Sequence, residues 1–284
     1  MPSVKVWKIS ILIFLSERDI IGLKKSVREG MPMKFVKKSK EQLHREDLER
    51  IAKYRPLDDD FMRELFRDNM PLTEMVLRII TGKQDLVVTG QETQYDLNQI
   101  AGARSLCLDV FATDSKNQKY NLEIQRADKG ATAKRARYHS SAIDVESLRP
   151  KEDFEQLPIT YVIFITESDV RGEGRVLYNF EWRDTETGKP LGDGSHIIYV
   201  NAAYHAEGDS SELARLMHDF RCSNPSEMNY ELLAEKARFF KETEEGVSHM
   251  CKLNEDMRNE AAREAATEAA MIKSAEIALN LLSL

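Results

Sequence analysis

The chain has 284 residues, 42% of them hydrophobic and 31% charged, with a net charge of −7. That length allows one or two domains with a full core. The acidic balance excludes a global positive field, so a nucleic-acid partner would need a local basic patch. Cys107, Cys222 and Cys251 are widely spaced and odd in number. They form neither a disulfide framework nor a metal-ligand spacing, which points to a reducing, cytoplasmic setting.

Residues 1–33 read as an extension. Residues 9–15 are apolar apart from Ser10 and follow lysines, but Ser16, Glu17, Arg18 and Asp19 come next instead of a small-residue cleavage site. The run is too short to span a bilayer, so no membrane partner is expected. Met31 or Met33 is the expected native start. A domain is expected over residues 34–225 and a helical C-terminal extension over residues 226–284. Residues 34–54 are charged and helix-prone, a solvated arm. Residues 57–66 begin with Asp58, Asp59 and Asp60, acids suited to a helix N-terminus. Residues 71–80 place Pro71 at a first helical position, with Leu72, Met75, Val76 and Ile79 on one stripe. Residues 85–90 predict a short strand ended by a turn, and residues 91–105 a polar segment.

The next stretch carries the chemistry. Leu106, Leu108 and Val110 alternate with Cys107, Asp109 and Phe111, and Tyr120, Leu122 and Ile124 alternate with Asn121, Glu123 and Gln125. Strand side chains alternate faces, so Glu123 and Gln125 share one. Paired as a hairpin, the two strands set Asp109 beside Glu123. Two carboxylates with an amide oxygen nearby make a set of hard oxygen ligands for a divalent cation. Such an ion lowers the pKa of its water and offsets charge on a phosphoryl oxygen. The plainer alternative is a solvent-facing pair of acids on a hairpin.

Residues 131–145 predict a helix bearing Lys134, Arg135, Arg137 and His139. The cations suit flanking phosphates or a solvated face. Residues 159–166 form a continuous apolar run, the mark of a strand buried on both faces. Residues 176–182 and 196–200 predict further strands around a Gly-rich turn. That turn lacks the order of a phosphate-binding loop and reads as a hairpin connection. His139, His196 and His205 lack a zinc spacing and read as surface or capping residues. Residues 210–220 and 228–244 predict helices. The Ala- and Glu-rich tail from residue 254 ends in Ile272, Ile277, Leu279, Leu281 and Leu282. Such a stripe fits a homodimer through the C-terminal helices or docking on the domain itself.

This order, with Asp109 in one strand, Glu123-Ile124-Gln125 in the next, then a basic helix with Arg137-Tyr138, then an apolar strand, resembles the PD-(D/E)XK nuclease superfamily. More narrowly it resembles the bacterial recombination-promoting nuclease and transposase group, over residues 57–204. The resemblance implies an α/β fold with a central mixed sheet flanked by helices. It implies an endonuclease that hydrolyses DNA phosphodiester bonds with Mg²⁺ or Mn²⁺, or, as the alternative, an inactive nuclease-like module that binds DNA or protein. Asp109 and Glu123 would hold the metal, with Glu74, or else Glu64, as a third acid from the first helix. Gln125 would stand where most of the superfamily has a catalytic lysine. Lys129 and Lys134 are the expected sources of the missing charge. Lys129, Lys134, Arg135 and Arg137 would contact DNA.

Overall fold

The computed structural model describes residues 38–97, 106–126, 130–205 and 207–282, with side chains as far as residue 268. The expected extension over residues 1–33 and the expected site residue Lys129 lie outside the described residues. Contacts divide the chain into one unit over Ala52–Gly246 and another formed by Met1–Ile51 with Val247–Leu284.

The first described helix, α1 (Lys40–Lys53), precedes α2 (Asp59–Phe66) and α3 (Met70–Thr81). Asn69 caps α3 by accepting from the Leu72 N–H, Pro71 sits in its first turn, and Gly82 ends it at φ 71°. That is the left-handed C-terminal position where glycine costs least. Six strands come next: β1 (Val88–Leu97), β2 (Leu106–Asp114), β3 (Lys119–Gln125), β4 (Thr160–Thr166), β5 (Leu177–Phe180) and β6 (Ser195–Asn201). They form one sheet in the order β1-β2-β3-β4-β6-β5. β1, β2 and β3 are an antiparallel meander, β3–β4 and β4–β6 are parallel, and β5 closes the far edge antiparallel to β6. Every residue of β4 is buried, as the continuous apolar run predicts for a central strand. Helices α4 (Ala133–Ser147), α5 (Glu212–Arg221), α6 (Glu231–Glu242) and α7 (Glu244–Leu282) complete the described chain. The result is the expected α/β architecture.

Topology positions α4. It is the crossover between the parallel strands β3 and β4, and such a connection starts beside the carboxyl end of the strand it leaves. The first turn of α4 therefore follows Gln125 closely. Thr132 fixes that turn by accepting from the Arg135 N–H at 3.2 Å.

Two placements add to the sequence reading. β1 runs through Gly90, where a turn is predicted, because a register irregularity between Val88 and Gly90 absorbs the glycine. α6, expected in a C-terminal extension beginning at 226, lies in the unit over Ala52–Gly246. Its Phe240 ring meets Phe61 edge-on at 6.2 Å, and Lys241 Nζ donates to the Tyr54 carbonyl at 2.6 Å. In the other unit Asp47 of α1 accepts both arms of the Arg258 guanidinium, one at 2.9 Å, and Met250 and Asn254 are buried. The three cysteines are free. Among the described residues no helix is long and apolar enough to cross a membrane.

Candidate active site

The β2–β3 ladder pairs Thr113 with Lys119 and continues to Val110 opposite Leu122. Beyond that pair the backbone donors turn to carboxylates. The Asp109 N–H donates to Glu123 Oε1 at 3.2 Å, and the Ile124 N–H donates to Asp109 Oδ2 at 3.3 Å. Each acid thus takes a backbone donor from the neighbouring strand, and the two carboxylates sit in the opening between β2 and β3. Glu123 is 0% exposed. Gln94 holds the other side of Asp109, donating to Oδ1 at 3.4 Å from a left-handed backbone at φ 56°. The conformation is uncommon for a residue other than glycine, asparagine or aspartate and turns this side chain into the site.

Arg135 covers the opening. Its Nη2 donates to Glu123 Oε2 at 2.9 Å and its Nη1 to Gln125 Oε1 at 3.0 Å. Its Nε donates to His139 Nε2 at 3.1 Å, one helical turn on. A neutral imidazole accepts at one nitrogen only, so His139 carries its proton on Nδ1. Asn121 lies 2.9 Å from Nδ1 through its amide. The Asn121 amide also donates to Glu123, whose Oε1 lies 3.6 Å from the same imidazole nitrogen. His139 is therefore no surface histidine. It is fully buried against the Phe164 ring, and burial together with the Arg135 charge lowers its pKa to about 4.

Burial dominates the electrostatics of the site. Burial raises the Asp109 carboxyl above its usual range. Burial and then Asp109 push Glu123 up to about 8, with Arg135 acting the other way. Asp59, in the first turn of α2, rises to about 6, by burial first and Asp109 second. Arg63, four residues along α2 from Asp59, partly offsets both acids. Asp59, Arg63, Asn121 and His139 are the site residues that sequence reasoning missed. Asp59 reads as one of three helix-capping acids, and a lone histidine in a basic helix carries no address.

The other expected residues are placed elsewhere. Glu74 is not brought to the carboxylates: it accepts from the Val88 N–H at 2.9 Å and pairs with Arg78 at 2.7 Å. Val88 is opposite Asp114, five residues along β2 from Asp109, roughly 17 Å at ~3.4 Å per residue. Glu64 is buried and paired with Arg67 at 2.9 Å. Lys134 and Arg137 are exposed. Arg135, expected among the phosphate contacts, instead faces Glu123 and Gln125.

A hard divalent cation fits this donor set. Each carboxylate offers about four lone-pair directions, more than the backbone and side-chain donors use, and the raised pKa values reflect desolvated carboxylates whose charged form a cation would stabilise. Among the described residues no three His, Cys, Asp or Glu side chains close into a metal cage. One or two carboxylates completed by water and phosphate oxygens is the usual Mg²⁺ arrangement.

A family model described as PD-(D/E)XK nuclease family transposase matches residues 72–275, more than half of the chain. Asp59 lies outside the matched segment. No curated protein and no solved structure matches the chain.

Proposed function

The chain belongs to the PD-(D/E)XK nuclease family transposases, and from that premise we propose that it is a Mg²⁺- or Mn²⁺-dependent DNA endonuclease of the recombination-promoting type, acting in the cytoplasm. The observation that carries the reading is the interlocked pair Asp109 and Glu123 beneath the Arg135 fork. Asp109 and Glu123 would hold the metal, with Asp59 close enough to add its charge to that of Asp109. When bound, such an ion acidifies a water and neutralises phosphoryl oxygen charge.

The chain's own residues supply the rest. Gln125 is neutral and cannot provide the charge of the usual lysine. Arg135, held on its amide oxygen, brings a permanent cation to the same place, and a preorganised guanidinium suits charge developing on a phosphoryl group. His139 fixes the Nε end of that guanidinium, so its two arms keep one orientation. Lys134 and Arg137, with Lys129 earlier in the chain, would grip flanking phosphates and set the strand's register.

The test is a plasmid-nicking assay with added Mg²⁺ or Mn²⁺. Asp109→Asn and Glu123→Gln should each lower the rate by at least about 10²-fold, since even groups behind a ligand cost 10–100-fold. Circular dichroism should show both variants folded. Nicking at the wild-type rate in either variant rules the assignment out. A wild-type protein that binds DNA and never cleaves it supports the inactive binding module.

A further inference from the structure

Helix α4 presents two flanks. Arg135 and His139 face the carboxylates, while Lys134, Arg137, Ser141 and Asp144 lie on another stripe, at the i, i+3, i+7 and i+10 spacing of one helix face. That second stripe forms one wall of a cleft of about 550 Å³, with Phe180, Trp182, Asp193, Ser195 and Ile197 opposite, and with Glu181 on the same wall held by Arg183. Ser140 Oγ and Ser195 Oγ, 3.0 Å apart, tie the two walls together. Ile197 pairs with Val162, and Val162 with Asn121. The cleft thus lies two strands from a residue of the carboxylate site, about 10 Å at ~4.8 Å per strand.

We propose that this cleft binds an unpaired nucleotide of a DNA strand, with Trp182 stacking the base and Lys134 and Arg137 holding its phosphates. Trp182 is 60% exposed and Leu191 is 70% exposed, on facing arms of one hairpin, joined where the Leu191 N–H donates to the Trp182 carbonyl at 2.8 Å. Large apolar side chains left open beside a cleft mark a binding surface more than a solvated one. The charge along the cleft matches a nucleotide. Lys134 and Arg137 stand on the wall nearer the start of α4, without an ion partner among the described residues. The other end has Asp144 and Asp193 close enough that burial, then Asp193, raise the Asp144 carboxyl. Carboxylates accept from exocyclic base amines, and cations neutralise phosphates. An indole face takes any base, but only one whose own face is not covered by duplex stacking. The inference deepens the nuclease reading by naming the form of strand beside the cut, and rests on it only for that link.

The experiment uses the full chain in a chelator, so that no cleavage occurs. The chain has two tryptophans, so a Trp7→Phe background leaves Trp182 as the one indole. A short single-stranded oligodeoxynucleotide should quench its emission, and a blunt duplex of the same sequence should not. By anisotropy of the labelled strand, Trp182→Ala should weaken single-strand binding roughly tenfold, the order of one base–aromatic stack. Trp182→Phe should recover most of it, and duplex affinity should be the same in all three proteins. Lys134→Ala with Arg137→Ala should flatten the single-strand salt slope by about 0.7 for each cation removed. The proposal is overturned by emission that stays unmoved at saturation. It is equally overturned by a Trp182→Ala protein that binds the single strand like wild type, or that loses single strand and duplex alike. A protein with this signature but no metal-dependent nicking counts against the metal reading alone, and nicking without the signature counts against the cleft alone.

Discussion

At the scale of single residues, the site is defined by where charge is uncomfortable. Glu123 has its pKa pushed up to about 8 by burial and by Asp109, so at neutral pH the metal-free protein holds a proton there. A divalent cation must displace it. Metal affinity should therefore rise with pH, most steeply up to about 8, with a fractional proton released per ion at pH 7 and none well above that value. Calorimetry in two buffers of different ionisation enthalpy counts the protons; release that does not change with pH contradicts the picture. The same shift has a signed effect on stability. The folded carboxyl titrates above its unfolded value of 4.5, so its stabilisation is fully present below that pH and fades as pH rises through about 8. Glu123→Gln should remove that part of the decline in thermal midpoint, without metal, between those limits. A second residue-scale prediction concerns Gln125. Its oxygen lies 3.0 Å from Arg135 Nη1, so Gln125→Lys would set two cations together and should lower the cleavage rate. Adding Arg135→Gln to Q125K should recover part of it, because one cation then remains over Glu123. If Q125K alone cleaves at or above the wild-type rate, Arg135 does not occupy the lysine's place.

At the scale of elements, the sheet explains both what the sequence reveals and what it hides. Period-two alternation in β2 and β3 is strong, so the meeting of Asp109 with Glu123 is readable from the sequence. The all-apolar β4 is equally plain. β1 is not, because it is an edge strand whose inner residues are Thr89, Gln91, Glu92, Thr93 and Gln94, and polar side chains on an edge carry no apolar alternation. The partner of Gln125 is hidden for another reason. Lys134, Arg135 and Arg137 look alike in sequence. Only the crossover and the Thr132 cap set which of them turns toward β3. Glu74 shows the converse error: a first-helix acid suits a metal by type, but α3 spends it on the end of β1. Glu74→Gln should thus act on stability and not on the metal. It weakens a partly exposed charged hydrogen bond to the Val88 N–H, a loss of about 1 kcal/mol. Chemical denaturation should show that loss while calorimetry gives an unchanged metal affinity. A Glu74→Gln protein of full stability that binds metal poorly would return Glu74 to the site.

At the scale of the whole molecule, one unit has the candidate chemistry and the other has a long helix. α7 runs from Glu244 to Leu282, 39 residues, or about 58 Å at ~1.5 Å per residue. Residues 262–267 of it are all exposed, and a solvated helical stretch of that kind gains little stability from its own propensity. The last part of the chain is apolar at helical spacing: Ile272, Ala275, Leu279 and Leu282, with Ile277 and Leu281 beside them. The side chains of that stripe lie outside the described set, so its cover is a prediction from sequence. A second copy of the chain is the expected one. Cutting both strands of a duplex in one encounter calls for two sites facing opposite strands, and a two-fold dimer supplies them with one repeated contact. The truncation that tests this can end at residue 268, which keeps Arg258 and so leaves the buried Asp47 paired. Sedimentation should find the full chain dimeric at micromolar concentration and the 1–268 protein monomeric. Leu279→Asp with Leu282→Asp should reproduce the truncation at full length, since two charges cannot be buried in an apolar seam without a large cost. A full chain that stays monomeric across that range means the stripe is covered within one molecule, and double-strand cutting would then proceed by two separate encounters.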